Sequence, residues 1–225
     1  MKFTRFATRE QAGAQLAIEL KRHRHERPLV LALPRGGVPV AAEVARALKA
    51  PLDLILVRKI GVPWQRELAA AAVVDGERHD LVYNDEVMAT AQLRASDLEP
   101  QIAEALKEIE RRRALYLKDR RPLPIEGSTA IVVDDGIATG TTVKAALKAL
   151  QRRRPLKLVL AVPVAPASSI ADLRQHVDEL ICLQQPEPFG AIGYFYEDFH
   201  QVPDEEVIRL LARAGDPAAA PSSDS

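Results

Sequence analysis

The run from residue 130 to 142 constrains the fold more than any other part of the chain. It reads Ala130, Ile131, Val132, Val133, then Asp134 and Asp135, then Gly136, Ile137, Ala138, Thr139, Gly140, Thr141 and Thr142. Three consecutive β-branched residues with no polar alternation describe a strand buried on both faces, the signature of a parallel sheet covered by helices on either side. Val143 to Leu150 then continues as an amphipathic helix. A strand, a glycine–threonine loop and a helix in this order leave free backbone N–H groups and the positive end of the helix dipole facing whatever occupies the loop, which favours an anion. Gly136 and Gly140 allow backbone angles and close approaches that a Cβ would block. The two carboxylates just before the loop are placed to accept hydrogen bonds from a diol. A sugar phosphate satisfies both halves of that chemistry.

The remainder of the chain supplies two further strand ends. Leu29–Leu33 is a short apolar strand that ends in Pro34, Arg35, Gly36 and Gly37, and Val40, Val44, Ala47 and Leu48 mark the helix behind it. A guanidinium beside free N–H groups suits a polyanion. Leu52–Val57 reads as a second buried strand and ends in Arg58, Lys59, Ile60, Gly61, Val62 and Pro63. Leu156–Val162 and Leu180–Leu183 are further core strands, with a short helix over Ala167–Leu173. The implied fold is α/β: a mostly parallel twisted sheet flanked by helices. In such sheets ligands sit outside the carboxyl ends of the strands, and here those ends carry acids in one place and cations in two.

Helical spacing predicts a first helix over about residues 9–23, one of about twenty residues with Leu98, Ile102, Leu106 and Ile109 on one face, and a last one from Asp204 through Leu211. The cluster from His23 to Arg27 reads as a solvated helix end. Residues 67–83, with the turn signal Asp75–Gly76, form a hairpin. Five of the nine Phe and Tyr residues (Phe189, Tyr194, Phe195, Tyr196 and Phe199) fall in one Pro/Gly-containing segment. Clustered rings there suit a planar ligand, with Phe189 and Tyr194 the candidates for stacking. The chain of 225 residues is long enough for a single domain, over residues 1–215, and residues 216–225, all Ala, Asp, Pro and Ser, have little to bury and read as a disordered tail.

Composition narrows the partners. Acidic and basic residues balance at 31 each, which argues against bulk electrostatic binding to nucleic acid or an anionic membrane. No apolar run approaches a membrane span. Residues 1–9 are charged and lack a leader's apolar core. The lone Cys182, in an apolar run, fits a reducing compartment and a buried, inert thiol. A cytoplasmic protein acting on small molecules is the expectation.

The 130–142 run resembles the phosphoribosyl-pyrophosphate (PRPP) motif of type I phosphoribosyltransferases. It lacks the Gly-Lys-Ser/Thr of a Walker A loop and the Gly-x-Gly-x-x-Gly of a dinucleotide fold. Leu-Pro-Arg-Gly-Gly at 33–37, Arg-Lys-Ile-Gly-Val-Pro at 58–63 and the aromatic segment resemble, more narrowly, a bacterial group of that family known only as predicted phosphoribosyltransferases. The resemblance implies transfer of the phosphoribosyl group of PRPP to a nitrogenous base, a purine or related heterocycle, with release of pyrophosphate. PRPP would contact Pro34, Arg35, Gly36, Gly37 and residues 134–142. Arg35, Arg58, Lys59 and Asp135 would act in catalysis. Mg²⁺ would meet Asp134 and Asp135, through water. The resemblance further implies a non-proline cis peptide in the Arg35 loop, a flap over about 60–122 with Glu67 in it, a hood over about 184–200 for the acceptor, and Arg112 or Arg113 reaching the pyrophosphate across a homodimer, which is common in the family. The lone Trp64 reads as the flap's anchor. A PRPP-sensing regulator with little turnover is the alternative. A different phosphoryl or hydrolytic enzyme on a similar sheet lacks a Walker A lysine or a Ser/His pair to support it.

Overall fold

A computed structural model describes residues 4–76, 79–118 and 120–214. The predicted tail from 216 lies outside the described residues. Five strands make the central sheet: β1 (Pro28–Ala32), β2 (Leu52–Leu54), β6 (Thr129–Val133), β7 (Lys157–Val164) and β8 (Glu179–Gln184), in the order β2-β1-β6-β7-β8. Every pairing in it is parallel. β6 stands at the centre and is buried along its whole length, as the unbroken apolar run requires. The helices α1 (Arg9–Leu20), α2 (Gly37–Leu48), α5 (Thr141–Arg152), α6 (Ala167–Arg174) and α7 (Asp204–Ala214) are joined to this sheet. Residues of β1 and β6 alternate between two apolar cores. Val30, Ala32, Ile131 and Val133 face the side of α1, α2 and α7, and Leu29, Leu31, Ala130 and Val132 face α5.

A second sheet is wholly antiparallel: β3 (Val57–Val62), β4 (Gln65–Val74) and β5 (Asp80–Tyr83). It is followed by the short helix α3 (Asp85–Thr90) and by α4 (Glu99–Leu117). The single strand expected over Leu52–Val57 is therefore two. β2 ends at Leu54, and Val57 already belongs to the other sheet. Ile55 and Leu56 are buried in different cores, so the apolar run continues across the change of sheet and hides it. The β3–β4 pairing slips at Gly61, where a Cβ would lie 2.1 Å from the Arg66 carbonyl oxygen; only glycine lets the two strands come this close.

Two local expectations change. Trp64, expected to anchor the flap, stands at the β3–β4 turn with 69% of its surface exposed and anchors nothing. The segment Lys21–His25 is a 3₁₀ helix rather than more of α1, and His23 is buried rather than solvated, its Nδ1 2.7 Å from Glu26 Oε2.

Candidate active site

The site lies at the carboxyl ends of β1 and β6, neighbours at the centre of the sheet. The strand ladder continues beyond both, since the Leu33 N–H donates to the Val133 carbonyl at 3.0 Å. The loop after β1 and the acids after β6 are consequently pressed together. A Cβ on Gly36 would sit 2.1 Å from Asp135 Oδ2, and one on Gly37 would sit 2.9 Å from Asp134 Cα and 2.8 Å from the Val133 oxygen. That contact explains the glycine pair: any side chain would displace the carboxylates. The Pro34–Arg35 peptide is cis, as the resemblance implied.

The loop after β6 is built to leave donors free. Gly140 is left-handed at φ +74° and caps α5 with no side-chain hydrogen bond, so the first-turn N–H groups have no cap. The Ile137 N–H is taken by the Val164 carbonyl (2.9 Å), and Ser169 Oγ donates to the Ala138 carbonyl (2.8 Å), fixing the loop from behind. The N–H groups of Ala138, Thr139 and Gly140 have no backbone partner among the described residues. Ala138, Thr139 and Thr141 are exposed, with Thr139 Oγ1 and Thr141 Oγ1 3.4 Å apart, and Ile137 is buried in the core beneath.

A cavity of about 220 Å³ opens in front of these loops, and Leu33, Pro34, Arg58, Arg112, Asp134 and Thr142 are among its lining residues. The expected residues are thus partly gathered. Pro34, Asp134, Thr142 and Arg58 share one cavity. Arg35 is turned toward α7, with Nη1 3.5 Å from Asp204 Oδ1, which also accepts from the Tyr116 hydroxyl at 2.6 Å. Burial first, and Asp204 second, push the Tyr116 phenol up to about 12. Lys59 is exposed on β3 and is not among the residues lining the cavity. Glu67 is exposed in the first half of β4.

Arg112 is placed by the helix that carries it. It lines the cavity of its own chain, because α4 lies over the end of β3, and Glu108 Oε1 holds its Nε at 2.7 Å. The bonds from Arg111 and Arg112 hold the Glu108 carboxyl down at about 2. Arg113, one position on, points elsewhere and donates to the buried Asp75.

The two acids differ. Asp134 is partly exposed at the cavity. Its Oδ1 accepts from the Asp135 N–H at 2.9 Å. Burial, and then the Asp135 charge, push its carboxyl well above the ordinary range. Asp135 is buried, and Arg9 Nε donates to its Oδ2 at 2.8 Å. Burial pushes this carboxyl up as well, while Arg9 pulls it back. The Tyr196 hydroxyl donates to the Asp135 carbonyl at 2.6 Å. Arg9 was not legible as a site residue, since 126 positions separate it from Asp135.

In the aromatic segment the rings are mostly used internally. Phe189 stacks on Phe195 with centroids 5.3 Å apart and belongs to a small core with Phe6 and Tyr196. Its ring is thus engaged with Phe195 and half-buried. Tyr194 is 65% exposed and remains available. Cys182 is half-buried, its Sγ bonded to the Gln184 carbonyl, and burial pushes its thiol up to about 11.

Two strand-end loops pressed together, the acid pair Asp134 and Asp135 and an uncapped helix N-terminus form the architecture expected of a phosphoribosyl transferase. Residues 4–199 match the phosphoribosyl transferase domain family, and the chain belongs to it. It is 44% identical over 209 residues, 93% of its length, to "Putative phosphoribosyl transferase Rv0571c" of Mycobacterium tuberculosis strain H37Rv, and equally so to its counterpart MT0597 of strain CDC 1551. The chain spans about half (47%) of the length of these curated relatives. The crystal structure of TT1426 from Thermus thermophilus superposes with a TM-score of 0.82 at 38% identity, covering 92% of this chain and 98% of that one.

Proposed function

We propose that the protein transfers the 5-phosphoribosyl group of PRPP to a nitrogenous base, a purine or related heterocycle, and releases pyrophosphate. The observation that carries this reading is the single cavity shared by the Asp134 carboxylate, the Arg58 and Arg112 guanidiniums and the start of α5 at Thr142. An anion-ready loop, a diol acceptor and cations for a second anionic group on the same sugar describe PRPP better than a mononucleotide. The loop from Gly136 to Thr142 holds the 5′-phosphate on its free N–H groups. Asp134 accepts from the ribose hydroxyls. Arg58, with Arg112 beside it, offsets the charge that grows on departing pyrophosphate, and Arg35 and Lys59 join from the rim. Cleavage at C1′ develops oxocarbenium character, so preorganised charge stabilises both fragments without a covalent nucleophile.

The residues present fit Mg²⁺. It takes one or two carboxylates and completes its shell with phosphate oxygens and water. Asp134, partly exposed at the cavity, would hold it; Asp135, engaged by Arg9, would act from behind rather than as a direct ligand. When bound, the ion neutralises pyrophosphate charge. Tyr194 and the backbone around it face the acceptor. The protein works in the cytoplasm on small molecules, and a homodimer is consistent with the family.

Calorimetric titration with PRPP and Mg²⁺ tests the donor: absence of binding overturns the reading. Incubation of the bound protein with a panel of bases, followed by pyrophosphate release, tests transfer. Release that depends on one base supports it; binding with no release across a broad panel points instead to a PRPP-sensing regulator.

A further inference from the structure

The hood segment, residues 184–200, is tied to the N-terminus of the chain. The Phe6 N–H donates to the Phe195 carbonyl (2.9 Å), and the Glu197 and Asp198 N–H groups return bonds to the Phe6 and Ala7 carbonyls (2.8 and 3.0 Å). Phe6 and Tyr196 pair as a short parallel bridge, with their rings 5.5 Å apart. Immediately after this zipper α1 begins, and its first residue is Arg9. α1 is itself fixed against α2: a Cβ on Gly13 would lie 2.5 Å from the Val40 carbonyl oxygen, so the two helices touch backbone to backbone.

Arg9 spends its guanidinium on three neighbours. Nε donates to Asp135 Oδ2 at 2.8 Å, Nη1 donates to the His200 carbonyl at 2.8 Å, and Cζ lies over the Phe199 ring, 3.9 Å from its centroid. Only 7% of the side chain is exposed. A planar fork that stacks and donates in two directions is work an ammonium group cannot copy. Tyr196 adds a second link from the same segment, through its hydroxyl to the Asp135 carbonyl. Asp135 in turn touches the glycine loop after β1 and donates its N–H to Asp134. A continuous chain of contacts therefore runs from the hood through Arg9 and Asp135 to the donor cavity.

We propose that Arg9 is a positioning residue that joins the hood to the donor loop, so that filling the donor site tightens the hood over the acceptor. This rests on the PRPP reading above. The physical basis is reciprocal linkage: an ordered Asp135 favours both the seated hood and the bound donor, so each favours the other.

The test is hydrogen exchange at the hood amides with and without PRPP and Mg²⁺, on wild type, Arg9→Lys and Tyr196→Phe. In wild type the donor slows exchange at Tyr196, Glu197 and Asp198 by about tenfold, within the usual range of such coupling. In Arg9→Lys the fold persists, PRPP affinity falls by about tenfold, and the donor no longer slows these amides. Arg9→Lys placed on Asp135→Asn adds little to the loss from Asp135→Asn alone, because the two residues act as one unit. Tyr196→Phe removes the parallel link and little volume, and loses part of the protection; it reports the same coupling should the lysine variant fail to fold. Donor-dependent protection that stays intact in the variants, or losses of affinity that simply add, overturn the proposal. A wild type that binds no PRPP overturns the donor reading itself, and does so before any variant is made.

Discussion

Two cavities among the described residues differ in kind, and the larger of the two is the less informative. One, of about 570 Å³, sits among Asp53, Asp75, Asp80, the 122–126 segment and Arg113, Arg152 and Arg153, toward the amino ends of the central strands. The other, of about 220 Å³, lies at the carboxyl ends beside Asp134 and Arg58. In the large one the charges are largely spent on one another. Arg113 donates to Asp75, Arg153 forks onto Asp80 (2.7 and 2.9 Å) and the Asp75 carbonyl, and both Asp53 oxygens accept backbone N–H groups. In the small one Arg58 has no ion-pair partner among the described residues, Asp134 faces a neighbouring acid, and the loop N–H groups stand open. A structural cavity has its charges satisfied; a binding cavity leaves some for the ligand. Volume does not distinguish the two, but the state of the charges does.

The sharpest way to break this contrast is to remove Arg113. Asp75 is only 1% exposed, so Arg113→Ala leaves a buried carboxylate short of its main partner and costs about 3 kcal/mol of stability, measurable by urea denaturation. PRPP affinity in the folded fraction stays within about twofold, because Arg113 lines the larger cavity and not the donor cavity, and donates to Asp75. A large drop in donor affinity would show that the two cavities are coupled after all.

Asp134→Asn is the complementary change. It keeps the shape and removes the carboxylate that meets the diol and the ion. The expected outcome is a loss of PRPP affinity of about 100-fold, ~2.7 kcal/mol, with the melting temperature unchanged or raised, since a carboxylate held against burial and a like charge is relieved. Arg58→Ala should follow with about a tenfold loss in pyrophosphate-dependent affinity, ~1.4 kcal/mol, and a shallower dependence on salt. If ribose 5-phosphate, which lacks the pyrophosphate, loses as much affinity as PRPP, then Arg58 does not face the leaving group.

What could be read in the sequence follows the same division. The acids of β6, its glycine–threonine loop and the Pro34–Gly37 turn are local patterns, and each sits at the strand end where the periodicity placed it. Contacts between distant segments were not readable. Arg9 looked like an ordinary first-turn residue, and nothing local announces a partner 126 positions away. Phe189 reads as a ligand ring in the sequence, and nothing local announces that it also stacks on Phe195. Ile55 and Leu56 are equally apolar on either side of a change of sheet. Arg112 and Arg113 are chemically identical in sequence. Only the rotation of α4 sends one to the donor cavity and the other to the structural one.

The smallest expected effect concerns pH, and it sets the two cavities against each other once more. Asp134 titrates well above its usual value in the folded chain, so folding binds its proton more tightly than the unfolded state does. Stability from this group is present at low pH and is lost as pH rises through the window between the ordinary carboxylate value and the raised one. Donor binding runs the other way, because the diol and the ion need the carboxylate ionised. As pH rises above the ordinary carboxylate value, PRPP affinity should therefore rise while the melting temperature of the free protein gains nothing from this site. In Asp134→Asn that rise should flatten. Calorimetry across the range, with Arg113→Ala in parallel, decides the matter. If the slope survives in Asp134→Asn, the ionising group lies elsewhere; if it vanishes in Arg113→Ala, the charges around Asp75 are not the closed set that the large cavity presents.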